Sequence, residues 1–314
     1  MPNQSPRVSK IHFVTGAAGF IGRRACECLV QCGGPVVGIG RLCDGVEPPK
    51  GLAAWVTASV ARDSLAALAA RVGEPDVIVH LAGAGTVEAS LLRALEDYHE
   101  NVGAIAEALE FARACSRPPA VILASSSAVY GRADAAHISE ETPLHPVSPY
   151  GLHKWMAEEL CRAYARAHKV PVAVVRLFSV YGSGLCKQLL WEASRRADGG
   201  QPEFDGTGDE VRDWLHVDDA ARLLCLAAHH ASADCPVVNG GTGCGMRVAD
   251  VLGTLGACSD PPWTPRFKGT VRPCDPPRYV ADIRRARAPG FEPQVGLDPA
   301  LADYARWYRE EERR

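Results

Sequence analysis

A chain of 314 residues with 47% hydrophobic side chains is long enough to bury a sizeable core, as one large domain or two smaller ones. Its net charge of −3 comes from interspersed acids and bases, with no long basic stripe to neutralise a phosphate backbone, which argues against a nucleic-acid partner. No apolar run could span a bilayer, the start Met1 to Arg7 lacks the apolar core of a signal peptide, and the twelve cysteines show no Cys-x-x-Cys pairing, so the chain reads as a cytoplasmic, membrane-free protein with reduced thiols.

Ile11 to Thr15 predicts a short strand, followed by Gly16-Ala-Ala-Gly19-Phe20-Ile21-Gly22 and a helical pattern through Gln31. Strand, glycine turn and helix in that order suit a dinucleotide: Gly16 permits the tight turn, Gly19 lets a pyrophosphate approach the helix N-terminus, and Gly22 allows close packing on the sheet. Cys26, Cys28 and Cys32 lie on this helix at spacings of two and four, which spread them over its surface. They read as core or surface thiols and not as metal ligands. The second strand, Val36 to Ile39, runs into Gly40 and Arg41, where such folds usually place an acid on the adenosine ribose. A guanidinium there would suit a 2'-phosphate, which leans toward NADP; the alternative is that Arg41 points into solvent.

Ala53 to Thr57 predicts a third strand and Asp76 to His80 a fourth, ending in Leu81-Ala82-Gly83-Ala84-Gly85, whose small residues leave a ligand room against the backbone. One long helix is expected from about Ser90 to Cys115, with Asn101 near its middle. The fifth strand begins at Val121 and ends in hydroxyls, Ser125, Ser126 and Ser127. In an open parallel sheet ligands bind outside the carboxyl ends of strands, so these serines face the same crevice as the glycine turn.

Ser148 and Pro149 read as an N-cap and first helical position, which stacks Tyr150 and Lys154 on one face of the helix that follows. A cation one turn away favours a phenolate, and so would the positive ring of an oxidised nicotinamide. Tyr150 thereby becomes a candidate base near neutral pH. Val172 to Leu177 is a sixth strand, followed by Ser179-Val-Tyr-Gly182. Beyond it Gly and Pro become frequent, which suggests residues 1–178 for the cofactor and 179–314 mainly for a substrate, with Val211 to Asp219 and Val237 to Gly241 expected to return to the main sheet. The Arg284 to Arg287 run and the tail from Arg309 read as solvated faces.

With these residues assembled, the chain resembles the extended short-chain dehydrogenase/reductase superfamily, specifically its nucleotide-sugar epimerases and dehydratases, over nearly its whole length. The resemblance rests on Thr15 to Gly22, His80-Leu-Ala82, Asn101-Val102, Ser125-Ser126 with Val129-Tyr-Gly131, Tyr150 with Lys154, Arg176 to Gly182, Arg212-Asp213, and Arg272 with Asp275. It implies an α/β fold, a Rossmann-type doubly wound parallel sheet with a smaller mixed C-terminal substrate-binding region, in a homodimer paired through the helix before Cys115 and the helix carrying Tyr150. It implies a catalytic group of Ser126, Tyr150 and Lys154, in which Tyr150 takes a proton from a sugar hydroxyl, Ser126 hydrogen-bonds that oxygen and Lys154 holds the cofactor ribose. Around NAD or NADP it places Gly16, Gly19, Phe20, Ile21, Gly22, Arg41, Leu81, Ala82, Gly83, Asn101 and Ser125. Around a nucleoside diphosphate sugar it places Ser127, Ser179, Lys187, Arg212, Arg272 and Asp275, with arginines suited to grip phosphate in a fork.

Departures from the family pattern sort the reactions. Sugar 4,6-dehydratases carry an Asp-Glu pair after the catalytic hydroxyl residue, where this chain has Ser127 and Ala128. The enzymes that make GDP-fucose carry a cysteine where Ala128 stands, and Ser179 replaces an asparagine of many relatives. What remains is oxidation and reduction at one carbon, foremost a UDP-sugar 4-epimerase. An NADPH-dependent reductase of a keto sugar nucleotide and a non-catalytic NAD(P)-binding sensor stay open as alternatives.

Overall fold

The computed structural model describes residues 10–42, 46–133, 135–270 and 276–312. The first half alternates strand and helix: β1 (His12–Thr15), α1 (Phe20–Gln31), β2 (Val36–Gly40), β3 (Ala54–Thr57), α2 (Arg62–Val72) and β4 (Val77–His80). Next come α3 (Val87–Leu92), α4 (Ala94–Tyr98), a π-helical turn (His99–Gly103), α5 (Ala104–Ala114), β5 (Ala120–Ser126), α6 (Pro149–His168) and β6 (Val172–Leu177). The expected single helix from Ser90 to Cys115 is therefore several pieces. The backbone leaves the helical region at Arg93 (φ −137°, ψ 60°), and Asn101 sits in the π turn instead of a regular helix.

The second half adds β7 (Ser179–Tyr181), α7 (Gln188–Asp198), β8 (Glu203–Phe204), β9 (Val211–His216), α8 (Val217–Ala227), β10 (Val237–Gly240), β11 (Gly245–Arg247) and α9 (Val248–Cys258). It closes with β12 (Arg266–Phe267), β13 (Arg278–Tyr279), α10 (Arg284–Arg287) and α11 (Leu297–Glu312). Seven strands form one parallel sheet in the order β10-β6-β5-β4-β1-β2-β3. The strand order reverses between β1 and β4, which opens a crevice at their carboxyl ends.

Strand side chains alternate between two cores, as a period of two requires. Phe13, Ile78, Val121 and Val174 pack against α2, α5 and α6, whereas Val14, Val79, Ile122 and Val175 face α1 and α8. Burial on both faces explains why these strands read as continuous apolar runs. A third core gathers Leu190, Phe204, Trp214, Leu252, Leu255 and Tyr304 from the second half.

Of the two segments expected to return to the main sheet, only Val237–Gly240 does so, pairing in parallel with β6. β9 instead centres a small mixed sheet: its first residues pair with β11 and β13, and its last three with β7. The carboxylate of Asp213, fully buried, accepts hydrogen bonds from the Thr242, Gly243 and Ala281 amides at 2.7, 3.0 and 3.1 Å. Those bonds fix β9 to the chain around it and hold the neighbouring Arg212 at the edge of the crevice.

Candidate active site

The β1–α1 turn forms one wall. Gly16 has φ +66°, and a Cβ there would lie 2.6 Å from the Ala82 amide nitrogen; a Cβ on Gly22 would lie 2.1 Å from the Gly16 carbonyl oxygen. The close approach at Gly22 is thus to the turn itself, where packing on the sheet was expected. No side chain caps α1 and its first turn holds no acid, so the positive helix end is available to an anion. Gly16, Gly19, Phe20, Ile21, Gly22, Leu81 and Gly83 all line a crevice of about 670 Å³, together with Ser125 to Ala128, Tyr150, Lys154, Ser179 and Lys187.

Ser148 caps α6 as expected, its hydroxyl accepting from the Gly151 amide at 3.2 Å, with Pro149 at the first helical position. The Tyr150 amide donates to the buried Ser90 hydroxyl at 3.1 Å, a tether across 60 residues that no local pattern announces. Ser126, at the end of β5, lies beside the Tyr150 phenol, both lining the crevice. Lys154, only 8% exposed, donates from Nζ to the Ala124 carbonyl at 3.2 Å and stands 5.9 Å from the centre of the Tyr150 ring. Two elements, β5 and α6, therefore bring Ser126, Tyr150 and Lys154 together.

The electrostatics differ from the simple expectation that Lys154 holds Tyr150 ionised. Burial raises the Tyr150 pKa, the Ser126 hydrogen bond pulls it back, and Asp97 raises it further. Burial also pushes Lys154 down to about 8, while Asp97 and Glu158 pull it up. Without a bound cation the dry environment outweighs the lysine, and the phenol stays protonated at neutral pH.

Beneath the pair lies a polar cluster that sequence reasoning missed. His153 Nδ1 and Asp97 Oδ2 are 2.6 Å apart, both buried, while Asp97 Oδ1 and Asn101 Oδ1 have no protein partner. A Cβ on Gly83 would lie 2.5 Å from Asn101 Oδ1 and 3.4 Å from Lys154 Nζ. Orphaned buried acceptors and a glycine cradle at the sheet's switch point are what a dinucleotide would complete, so the described residues fit NAD. Asn101 supports that cradle from below and does not itself line the crevice; the Ala82 amide is engaged by the Thr15 hydroxyl at 3.3 Å.

Two of the expected cofactor residues have side-chain partners within the protein. Ser125 turns its hydroxyl inward, donating to Glu158 Oε1 at 2.6 Å, so its side chain serves a buried ion pair between Glu158 and Arg176. Arg41, largely exposed just beyond β2, pairs with Glu100 at 2.7 Å.

A second lobe of about 740 Å³ continues the crevice past Val87, Ser179, Gln188 and Glu192 to Arg196, Phe204, Arg212 and Trp214. Ser179 and Arg212 meet in it, and the Lys187 ammonium stands at the junction, where a Cβ on Gly85 would come within 2.7 Å of Nζ. Gln188 adopts φ +66°, a strained backbone for a non-glycine residue and another feature absent from the sequence signal. Arg272 and Asp275 lie outside the described residues. No group of three or more His, Cys, Asp or Glu among the described residues could hold a metal ion.

A parallel sheet with a glycine turn, a Ser-Tyr-Lys group and a two-lobed crevice defines a dinucleotide-dependent enzyme of sugar-nucleotide chemistry. Residues 12–240 match the NAD dependent epimerase/dehydratase family, and the chain belongs to it. It is 30% identical to the UDP-glucose 4-epimerase of Azospirillum brasilense, over 97% of this chain and 92% of that one, and 31% identical to the dTDP-glucose 4,6-dehydratase of Streptomyces griseus over 94% and 93%. Its fold matches the UDP-glucose 4-epimerase of Thermotoga maritima solved with UDP-glucose, with TM-score 0.86, 26% identity and coverage of 96% of this chain and 99% of that one. It likewise matches MoeE5 in complex with UDP-glucuronic acid and NAD, with TM-score 0.83, 30% identity and the same coverage.

Proposed function

We propose that this protein is a nucleotide-sugar 4-epimerase acting on a UDP-sugar. The observation that carries the reading is the convergence of Ser126, Tyr150 and Lys154 on one crevice while Ser127 and Ala128, next to Ser126, offer no acid for eliminating water. Residues 1–178 supply the cofactor side and residues 179–314 most of the substrate side, with strand β10 returning to the main sheet. A bound nicotinamide supplies a reversible acceptor and donor of hydride.

Tyr150 takes the proton of the C4 hydroxyl as the sugar is oxidised to a ketone, and returns it after the ring has turned over. Ser126, beside the phenol in the same crevice, holds the same oxygen through both halves. Lys154 provides positive charge close to the phenol and ammonium hydrogens for the ribose. Ser179, Lys187 and Arg212 take the diphosphate and sugar, assisted by Arg272 and Asp275, and Ser127 faces the sugar ring. Arg41, at the end of β2, gives the cofactor site a preference for a 2'-phosphate and hence for NADP over NAD.

The protein works as a cytoplasmic homodimer. Leu152 and Met156, exposed on α6, line with Tyr98, Val102, Trp155 and Leu160 a largely apolar groove of about 410 Å³, and Leu95 is exposed on α4, which packs on α6. Contiguous apolar surface of this kind supports a second copy covering it.

The test is to incubate the purified protein with UDP-, GDP- and dTDP-sugars without added cofactor and to follow products by mass and sugar NMR. An isomer of unchanged mass, formed over many turnovers, is expected from a UDP-sugar. Formation of product only while NADPH is oxidised would assign a net reductase instead.

A further inference from the structure

The first turns of α6 carry Tyr150 and Lys154, and two residues of the preceding helices hold those turns. On α3 the Ser90 hydroxyl accepts from the Tyr150 amide at 3.1 Å and donates to the Val87 carbonyl at 2.6 Å. On α4 the Asp97 carboxylate meets the ring of His153, the residue before Lys154, with Oδ2 and Nδ1 2.6 Å apart. Ser90, Asp97 and His153 are all buried.

Each bond answers a local need. Pro149 has no N–H and Ser148 takes up the Gly151 amide, so the Tyr150 amide is a donor of the first helical turn that Ser90 alone satisfies. Asp97 is a buried carboxylate, too costly to leave without a partner, and His153 supplies one. Tyr98 adds an edge-on contact to His153, with ring centroids 5.6 Å apart. The Asn101 amide donates to the Asp97 carbonyl at 3.1 Å, which ties the same turn to the cofactor cradle at Gly83.

The break at Arg93 suits both bonds. Along one straight helix Ser90 and Asp97 would stand about 10 Å apart, whereas Tyr150 and His153 stand about 4.5 Å apart along α6. At Arg93 the backbone leaves the helical region, so α3 and α4 are separate pieces, and both pack on α6.

We propose that Ser90 and the Asp97–His153 pair are positioning residues for the reaction, a two-point clamp that fixes the turn carrying Tyr150 and Lys154 against the wall of the substrate lobe. The inference rests on Tyr150 as the base of the proposed epimerase. The link to the wall is α3 itself: Val87, whose carbonyl Ser90 holds, lines both lobes of the crevice, and so does Glu88. The clamp thereby sets where the phenol stands relative to nicotinamide and sugar, and a displacement of about 1 Å there costs about 100-fold in rate. It leaves the hold on the nucleotide alone, because Ser179, Lys187 and Arg212 lie on other elements.

The test compares Ser90→Ala, His153→Leu and His153→Asn with the wild type, counting kcat per bound NAD so that only folded sites enter. Ser90→Ala and His153→Leu should each lower kcat about 10- to 100-fold and leave KM for the UDP-sugar within about twofold. His153→Asn puts an amide N–H in place of the imidazole Nδ1 and should restore kcat to within about threefold of wild type. Should His153→Leu not fold, Ser90→Ala decides, since it removes only neutral bonds. A second readout needs cofactor but no sugar: the fall in the Tyr150 titration midpoint on NAD binding should be smaller in Ser90→Ala than in wild type. Absence of epimerase turnover in the wild type would count against the functional reading alone, and the titration would then decide the clamp, an equal NAD-induced fall in both proteins overturning it. Unchanged kcat per bound NAD in Ser90→Ala, a KM that rises in step with any loss of kcat, or no rescue by His153→Asn would also overturn it.

Discussion

Lys154 stands 5.9 Å from the centre of the Tyr150 ring but spends a hydrogen of its ammonium on the Ala124 carbonyl, so it acts on the phenol through its field and not through a bond. Burial outweighs that field and raises the Tyr150 pKa, so ionisation of the base awaits the further positive charge of oxidised cofactor. An ultraviolet difference titration should show the Tyr150 phenolate appearing at lower pH with NAD bound than without it. Tyr150→Phe should remove that signal and reduce turnover by about two to four orders of magnitude while leaving NAD bound. Titration unchanged by NAD would contradict the electrostatic argument.

Burial of Lys154 carries a cost that the site bears for function. Its folded pKa of about 8 lies below its ordinary 10.5, so the unfolded chain binds more protons between those values. Its destabilising effect is complete below about pH 8 and is relieved as pH rises toward 10.5. Lys154→Met should therefore fold more stably near neutral pH by about 1–3 kcal/mol while losing activity. A denaturant titration showing the variant to be less stable would contradict this.

The acid side of the stability profile should belong in part to His80. It is 1% exposed, its Nδ1 meets the Thr15 hydroxyl at 3.0 Å and its Nε2 has no partner. Burial first and Lys154 second lower its pKa from 6.5 to about 3, so the stability it contributes is present above 6.5 and is lost as pH falls toward 3. Unfolding midpoints at about pH 7 and about pH 5 should fall further apart in the wild type than in His80→Gln. Equal differences would remove His80 from the account.

Much of this arrangement is legible in the sequence, because its signals are local. The strand–turn–helix of Thr15 to Gly22, the Ser148-Pro149 cap and the Tyr150 to Lys154 spacing each set their own geometry within a few residues. What stays hidden is long-range pairing. Ser90 with Tyr150, Asp97 with His153 and Ser125 with Glu158 join residues 60, 56 and 33 apart, and each partner alone looks like an ordinary polar residue. The break at Arg93 leaves no local signal because α3 through α5 keep apolar residues throughout, and the apolar pattern of β9 does not say which sheet it joins.

Glu158 and Arg176 should prove the costliest pair to break. Both are almost fully buried, two hydrogen bonds of 2.9 and 2.7 Å join them, and Ser125 leans on the same carboxylate. Glu158→Gln leaves a buried guanidinium without its anion and should cost about 3–5 kcal/mol. Adding Arg176→Met should recover most of that loss in a double-mutant cycle. Additive losses would show that the two charges are not coupled.

The proposed NADP preference rests on one guanidinium and is open to direct titration. Glu100 now occupies Arg41, so Glu100→Gln should strengthen NADP binding about tenfold and NAD binding little, while Arg41→Ala should weaken NADP selectively. Equal effects on both dinucleotides would remove the 2'-phosphate role.

The proposed dimer is tested at its apolar face. Leu152→Glu with Met156→Glu should yield a monomer by light scattering, with Tyr150 chemistry impaired because α6 carries both residues and the base. A wild-type monomer at micromolar concentration would refute the pairing.

In the proposed reaction hydride leaves one carbon and returns to the same carbon on the opposite face. The most direct measurement is turnover of a UDP-sugar deuterated at C4, followed by NMR of substrate and product in ordinary water with unlabelled NADH present. Deuterium should stay at C4 of the inverted sugar, and no NADH should be consumed. Loss of the label to solvent, or its replacement by hydrogen from added NADH, would contradict it.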